Sequence, residues 1–117
     1  MRSHQDADPA LTALDELCTA ARGTIAHAEQ VLARADHVRA QREAGLFYRE
    51  IVPTEPRPLI VELLTAIQSE LTAAGSHWRR AEARALHAEG LSMDAIAALF
   101  GVTRQRVSTL LKEPARS

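Results

Sequence analysis

Between Pro9 and about Ala44 the chain contains one glycine, Gly23, and no further proline, and its apolar or small residues recur at alternating spacings of three and four. Leu11, Leu14, Cys18, Ala21, Ile25, Ala28, Leu32 and Ala35 form the series. A helix turns once in 3.6 residues, so this spacing draws one stripe along a single long helix, not the two-residue alternation of a strand. Bulky residues and alanine largely alternate along the stripe, which lets a partner helix approach closely. Leu17, Val31 and Val38 lie beside it and widen it, so the helix suits a bundle as well as a two-stranded coiled coil. At Arg39 and Arg42 the stripe becomes polar.

Composition extends the expectation to the whole chain. Of 117 residues, 46% are hydrophobic but only 3% aromatic, which favours close-packed helices over sheet faces built from bulky side chains. The expected class is all-α. Residues 1–8 and 113–117 are expected to be tails, the first disordered, and residues 9–74 a helical packing or dimerisation region. Within it, 45–58 (GLFYREIVPTEPRP) holds three of the five prolines and forms the connector. Its apolar residues predict a short helical turn over 46–51 packed against the neighbouring helices. Pro58 suits a first helical position, and Leu59, Ile60, Leu63, Leu64, Ile67 and Leu71 then mark a wide apolar face on a central helix ending near Ala74. Gly75 and Ser76 predict a break there, a stop followed by an N-cap.

Several function classes find no support. No run approaches the 18 or more apolar residues of a membrane span, and MRSHQDADPA lacks the apolar core of a signal peptide. A soluble, cytoplasmic, nucleoid-associated protein is expected. Cys18 is alone, which excludes an intrachain disulfide, and it is expected as a buried thiol. His4, His27, His37, His77 and His87 include no pair at the three- or four-residue spacing that a helical metal site uses, so each is expected at the surface. Without a nucleophile in a strand-turn-helix setting or a glycine-rich phosphate loop, no enzyme, cofactor or metal is expected.

Charge divides the chain at Gly75. Residues 1–75 carry seven arginines against eleven acids, a net −4, whereas 76–117 carry seven basic residues against four acids, a net +3. The basic end holds SHWRRAEARALHAEG followed by LSMDAIAALFGVTRQRVSTLLK. There Ser92 can cap a helix over 93–100, and Asp94 in its first turn complements the helix dipole. Ala97 leaves room for a closely crossing helix, Gly101 permits a left-handed turn, and Thr103 can cap a helix over 104–112 that Pro114 stops. Ile96, Phe100, Val102, Val107 and Leu110 are the expected core. The preceding helix supplies a third wall through Trp78, Ala81, Ala85 and Leu86. Together, residues 76–112 read as a three-helix helix-turn-helix unit.

LSMDAIAALFGVTRQRVSTLL resembles the helix-turn-helix of bacterial transcriptional regulators and the promoter-reading fourth region of sigma factors, most closely in GVTRQRVS. The resemblance implies that helix 104–112 enters the major groove with its N-terminal residues at base edges. The core-polymerase-binding regions of a sigma factor have no counterpart here. With Val107, Leu110 and Leu111 facing inward, the outward residues can be assigned by chemistry: Arg104, Gln105 and Ser108 to base readout, and Arg106, Thr109, Lys112, Ser92, Thr103, Arg79 and Arg80 to phosphates.

The expected function is sequence-specific, double-stranded DNA binding by a transcriptional regulator. One such helix reads few base pairs, so a homodimer binding two half-sites is favoured. The stripe on the N-terminal helix could pair with its twin or fold back on 59–74. Two alternatives remain: an adaptor that contacts RNA polymerase or a sigma factor, and a nucleoid-associated architectural protein.

Overall fold

The computed structural model describes residues 8–112, all-helical as expected. Apart from Asp8, the tails at 1–8 and 113–117, with His4 and Pro114, lie outside the described residues. Five α-helices follow in order: α1 (Pro9–Glu43), α2 (Tyr48–Ile51), α3 (Ile60–Ala88), α4 (Met93–Phe100) and α5 (Arg104–Lys112), with a 3-10 turn, Val52–Thr54, after α2. By contacts the chain divides into two units, one from the described residues of Met1–Cys18 and Ala73–Ser117, the other Thr19–Thr72.

α1 begins where Asp8 Oδ1 accepts from the backbone N–H groups of Ala10 and Leu11, at 3.0 and 3.2 Å, with Pro9 at the first helical position, where its missing N–H costs nothing. It ends where Gly45 takes a φ of +99° and Leu46 N–H reaches back to Gln41 O.

In the unit Thr19–Thr72, α1 and the first half of α3 form an antiparallel hairpin. Arg34 clamps the connector: its Nε donates to Pro56 O and Pro58 O, and its Nη2 to Arg57 O. Further along, His27 Nδ1 lies 3.3 Å from Glu70 Oε1. The connector in turn caps α3, because the buried Glu55 carboxylate accepts from Ile60 N–H at 2.8 Å and Glu62 from Leu59 N–H at 2.7 Å. Carboxylates there satisfy free N–H groups and favour the positive end of the helix dipole. Ile51 and Leu63 are the fully buried hydrophobic residues of this hairpin.

Several expectations are corrected. The packed stripe of α1 runs through Ala13, Leu17, Ala20, Thr24, His27, Val31, Arg34, Val38 and Gln41. The expected stripe lies one residue further round and stays open, with Leu11, Leu14, Cys18, Ile25 and Leu32 exposed. Both stripes have heptad spacing; polar Thr24, His27 and Arg34 disguise the one that packs. Half-buried His27, His37 and His77 depart from the surface positions expected of them. In the connector Ile51 is buried, but Phe47 and Tyr48 are exposed and carry Arg49 and Arg42 over their rings, at 4.6 Å from the centroids. Pro58 precedes α3 instead of opening it, since Leu59 accepts the first helical bond, from Leu63 N–H.

The predicted break at Gly75 and Ser76 is absent: α3 passes through both without interruption. Spacing of the apolar residues across 74–85 outweighs one glycine, whose cost in a helix is about 1 kcal/mol. Among the described residues no helix is long and apolar enough to cross a membrane. A Cβ on Gly75 would meet only the Arg79 guanidinium, at 3.7 Å, an ordinary contact. Gly75→Ala should therefore raise stability by about 0.5–1 kcal/mol in urea unfolding; a fall would indicate a broken helix.

Candidate nucleic-acid interface

The second half of α3, α4 and α5 form three walls around one core. α3 ends at Gly90 (φ +105°), after which Leu91 N–H bonds to Leu86 O. α4 starts at Ser92, whose extended backbone lets its Oγ accept from Ala95 N–H at 3.1 Å. It stops at Gly101, held at φ +68° and ψ +34°, where Gly101 and Val102 N–H both point to Ala97 O. That left-handed geometry costs a residue with a Cβ roughly 1–2 kcal/mol, which explains glycine between two helices that must cross within three residues. Thr103 then caps α5, its Oγ1 accepting from Arg106 N–H at 3.0 Å.

The core comprises Ala83, Ile96, Ala97, Val107 and Leu110, with Leu86, Leu91, Met93, Phe100 and Leu111 packed around it. Alanines at 83 and 97 let the neighbouring helices approach closely. Two details differ from expectation. Val102 is 40% exposed, because the turn after Gly101 directs it outward. On α3 the wall towards α4 and α5 is Ala83 with Leu86, whereas Ala81 and Ala85 line a recess of about 340 Å³ against the capping Asp8 and against Pro9 and Ala10 of α1. In that region Glu16 of α1 is 2.6 Å from His77 Nδ1. The beginning of α1 thus belongs to the helix-turn-helix unit, a long-range arrangement that no local pattern announces.

Core packing of Val107 and Leu110 decides what α5 presents outward. Arg104, Gln105, Thr109 and Lys112 are exposed and Ser108 half-buried, at offsets of one, four, five and eight residues from Arg104, which is one helix face. Thr103 and Ser92 are exposed at the first turns of α5 and α4, each with its oxygen already capping a backbone N–H. The Thr109 hydroxyl donates to Gln105 O at 3.1 Å. Arg106 sits to the side, sharing a groove of about 320 Å³ with Arg79, Trp78, Glu82, Phe100, Val102 and Leu110. Arg79 is therefore brought near α5. Arg80 is not: it lines the recess against the start of α1, beside His77 and Arg84.

Sequence reasoning missed one neighbour of the face. Asp94 on α4 lies with its Oδ1 3.7 Å from Arg104 Nε, both side chains largely exposed. Such a pair contributes little stability, but it biases the guanidinium towards the first turn of α4. Ten residues separate the two in sequence, so only the crossing of the helices reveals the contact. Among the described residues, no group of three or more His, Cys, Asp or Glu could hold a metal ion.

Comparison of the chain with known protein families, curated proteins and solved structures finds no match.

Two substitutions check this construction. A methyl group added at Gly101 would have no neighbour within 4 Å, so Gly101→Ala should cost only the backbone term, about 1–2 kcal/mol. Ile96→Ala empties a fully buried site and should cost about 2–5 kcal/mol. Chemical denaturation followed by circular dichroism measures both, and an Ile96→Ala loss below that of Gly101→Ala would contradict the core described.

Proposed function

We propose that this chain is a sequence-specific DNA-binding regulator of transcription, acting as a homodimer, with α5 in the major groove of double-stranded DNA. What supports this most is the outward face of α5, where residues of base-reading chemistry stand on a helix whose opposite side is locked into a core. An arginine can bridge the two major-groove acceptors of guanine, and a glutamine the acceptor and donor of adenine. Arg104 and Gln105 occupy the first turn of α5, the end that a recognition helix directs at base edges. Ser108, one turn further on, completes the reading set.

Phosphates are assigned to the periphery. Arg106 and Arg79 line one groove beside α5, Lys112 closes its last turn, and Thr109 lies on the outer face between them. Ser92 and Thr103 keep their hydroxyl protons free to donate, at helix starts where exposed N–H groups also favour an anion. Arg80, turned into the recess beside the start of α1, is left out of the phosphate set. The net +3 of residues 76–117 supplies attraction that carries no sequence information.

Selection of preferred duplexes from a random library, followed by titration against scrambled DNA at two salt concentrations, tests the proposal. The selected duplex should bind at least about 1,000-fold more tightly than the scrambled one. Arg104→Ala with Gln105→Ala should remove most of that preference and cost less on scrambled DNA; equal losses on both would contradict base readout. Lys112→Ala should weaken both alike and lower the salt slope by about one. Equal affinity for both duplexes would instead identify an architectural protein, and co-purification with RNA polymerase without salt-dependent DNA affinity an adaptor.

A further inference from the structure

We infer, resting on the proposed reading of DNA by α5, that Asp94 is a specificity-determining residue of the interface. From the first turn of α4 it holds the Arg104 guanidinium back from phosphates and presents it to a guanine, so the preferred duplex has a G·C pair beneath the first turn of α5.

The distribution of charge singles Asp94 out. Residues 91–112 contain three basic residues, Arg104, Arg106 and Lys112, and one acid, Asp94. That acid stands beside the arginine of base-reading chemistry, its Oδ1 3.7 Å from Arg104 Nε. Arg79, Arg106 and Lys112, the cations assigned to phosphates, have no ion-pair partner among the described residues. Nor does the start of α4 depend on Asp94. Ser92 caps it, with Oγ accepting from Ala95 N–H and its carbonyl from Ile96 N–H, while the Asp94 carboxylate accepts no hydrogen bond among the described residues.

The side of the guanidinium that is engaged matters as well. Its five N–H donors lie on three nitrogens, and a carboxylate at Nε leaves both terminal nitrogens for O6 and N7 of guanine. At 3.7 Å the contact is an ion pair and not a hydrogen bond, and with the two side chains 62% and 76% exposed it is weak in the free protein. Seating the face on DNA displaces water, and attraction at a given distance rises as the effective dielectric falls. The pair therefore gains strength where the choice of base is made.

An arginine without such a partner can reach phosphates on any duplex, which adds affinity without selection. Asp94 also sets a negative charge two residues from Ser92, itself assigned to a phosphate, and so weakens binding to every duplex. Its contribution is to the difference between duplexes, which is what specificity consists of.

Selection from the random duplex library, repeated with Asp94→Asn and with Arg104→Ala, provides the test, together with titration of the wild-type preferred duplex against scrambled DNA and far-UV circular dichroism on every variant. Asparagine keeps the size of the side chain and removes its charge. The wild-type motif should contain one guanine whose requirement disappears in Arg104→Ala, and Asp94→Asn should relax that same position and no other. Asp94→Asn should bind scrambled DNA more tightly than the wild type does and lower the preference for the selected duplex about tenfold. Added to Arg104→Ala, it should change the preference by no more than about twofold. An Asp94→Asn variant that keeps the wild-type motif and preference, that weakens both duplexes alike, or that lowers the preference equally with and without Arg104 would overturn the inference and leave base reading by α5 standing. A wild type with no preferred duplex would overturn base reading itself, and the role of Asp94 with it.

Discussion

The backbone of α3 remains helical through Gly75 and Ser76, and each of the two units is built on part of it. Its first half supplies Leu63 and Glu70 to the hairpin, and its second half supplies Ala83 and Leu86 to the wall behind α4 and α5. The helix is held at its beginning by carboxylates, Glu55 and Glu62 accepting its first free N–H groups, and closed at its end by the left-handed Gly90. The polar terminal groups of a helix must be satisfied somewhere; here the connector does it at one end and a turn at the other. Without that helix α4 and α5 would have two walls and no core.

Features set by neighbours in sequence were legible in advance. Ser92, Gly101 and Thr103 act through bonds to residues no more than four positions away, so spacing alone locates them. Ile96, Val107 and Leu110 follow from the same local geometry. What escaped sequence reasoning depends on distant partners. Two stripes on α1 have the same period, and only the position of α3 decides which is covered; the covered one contains polar Thr24, His27 and Arg34, and the partners of the last two, Glu70 and the connector carbonyls, lie more than 20 residues away. Arg104 near Asp94, and Ala81 turned towards the start of α1, belong to the same kind. Gly75 misled for another reason: glycine is common where helices stop, but its intrinsic penalty is small against burial on both sides of it.

The candidate interface has the same division. Its residue types and their common face could be listed from the sequence once Val107 and Leu110 were placed inward. Their surroundings could not. Arg79 joins Arg106 beside α5 while the adjacent Arg80 points to a different recess, a separation of two consecutive arginines that follows from the 100° step between neighbours on a helix. The face is therefore narrower and more sharply bordered than a count of basic residues would imply. In the proposed function, Arg104 and Gln105 select bases and the surrounding cations contribute attraction.

The central claim, that α5 reads base sequence, is tested most directly by mapping the occupancy of the full chain across the genome of its own cell beside the variant in which Arg104 and Gln105 are alanine. Enrichment at a limited set of sites sharing one short motif, lost in the variant while the protein persists at equal abundance, is the result expected. Occupancy that is uniform, that follows transcribing RNA polymerase without a motif, or that is unchanged in the variant would contradict it.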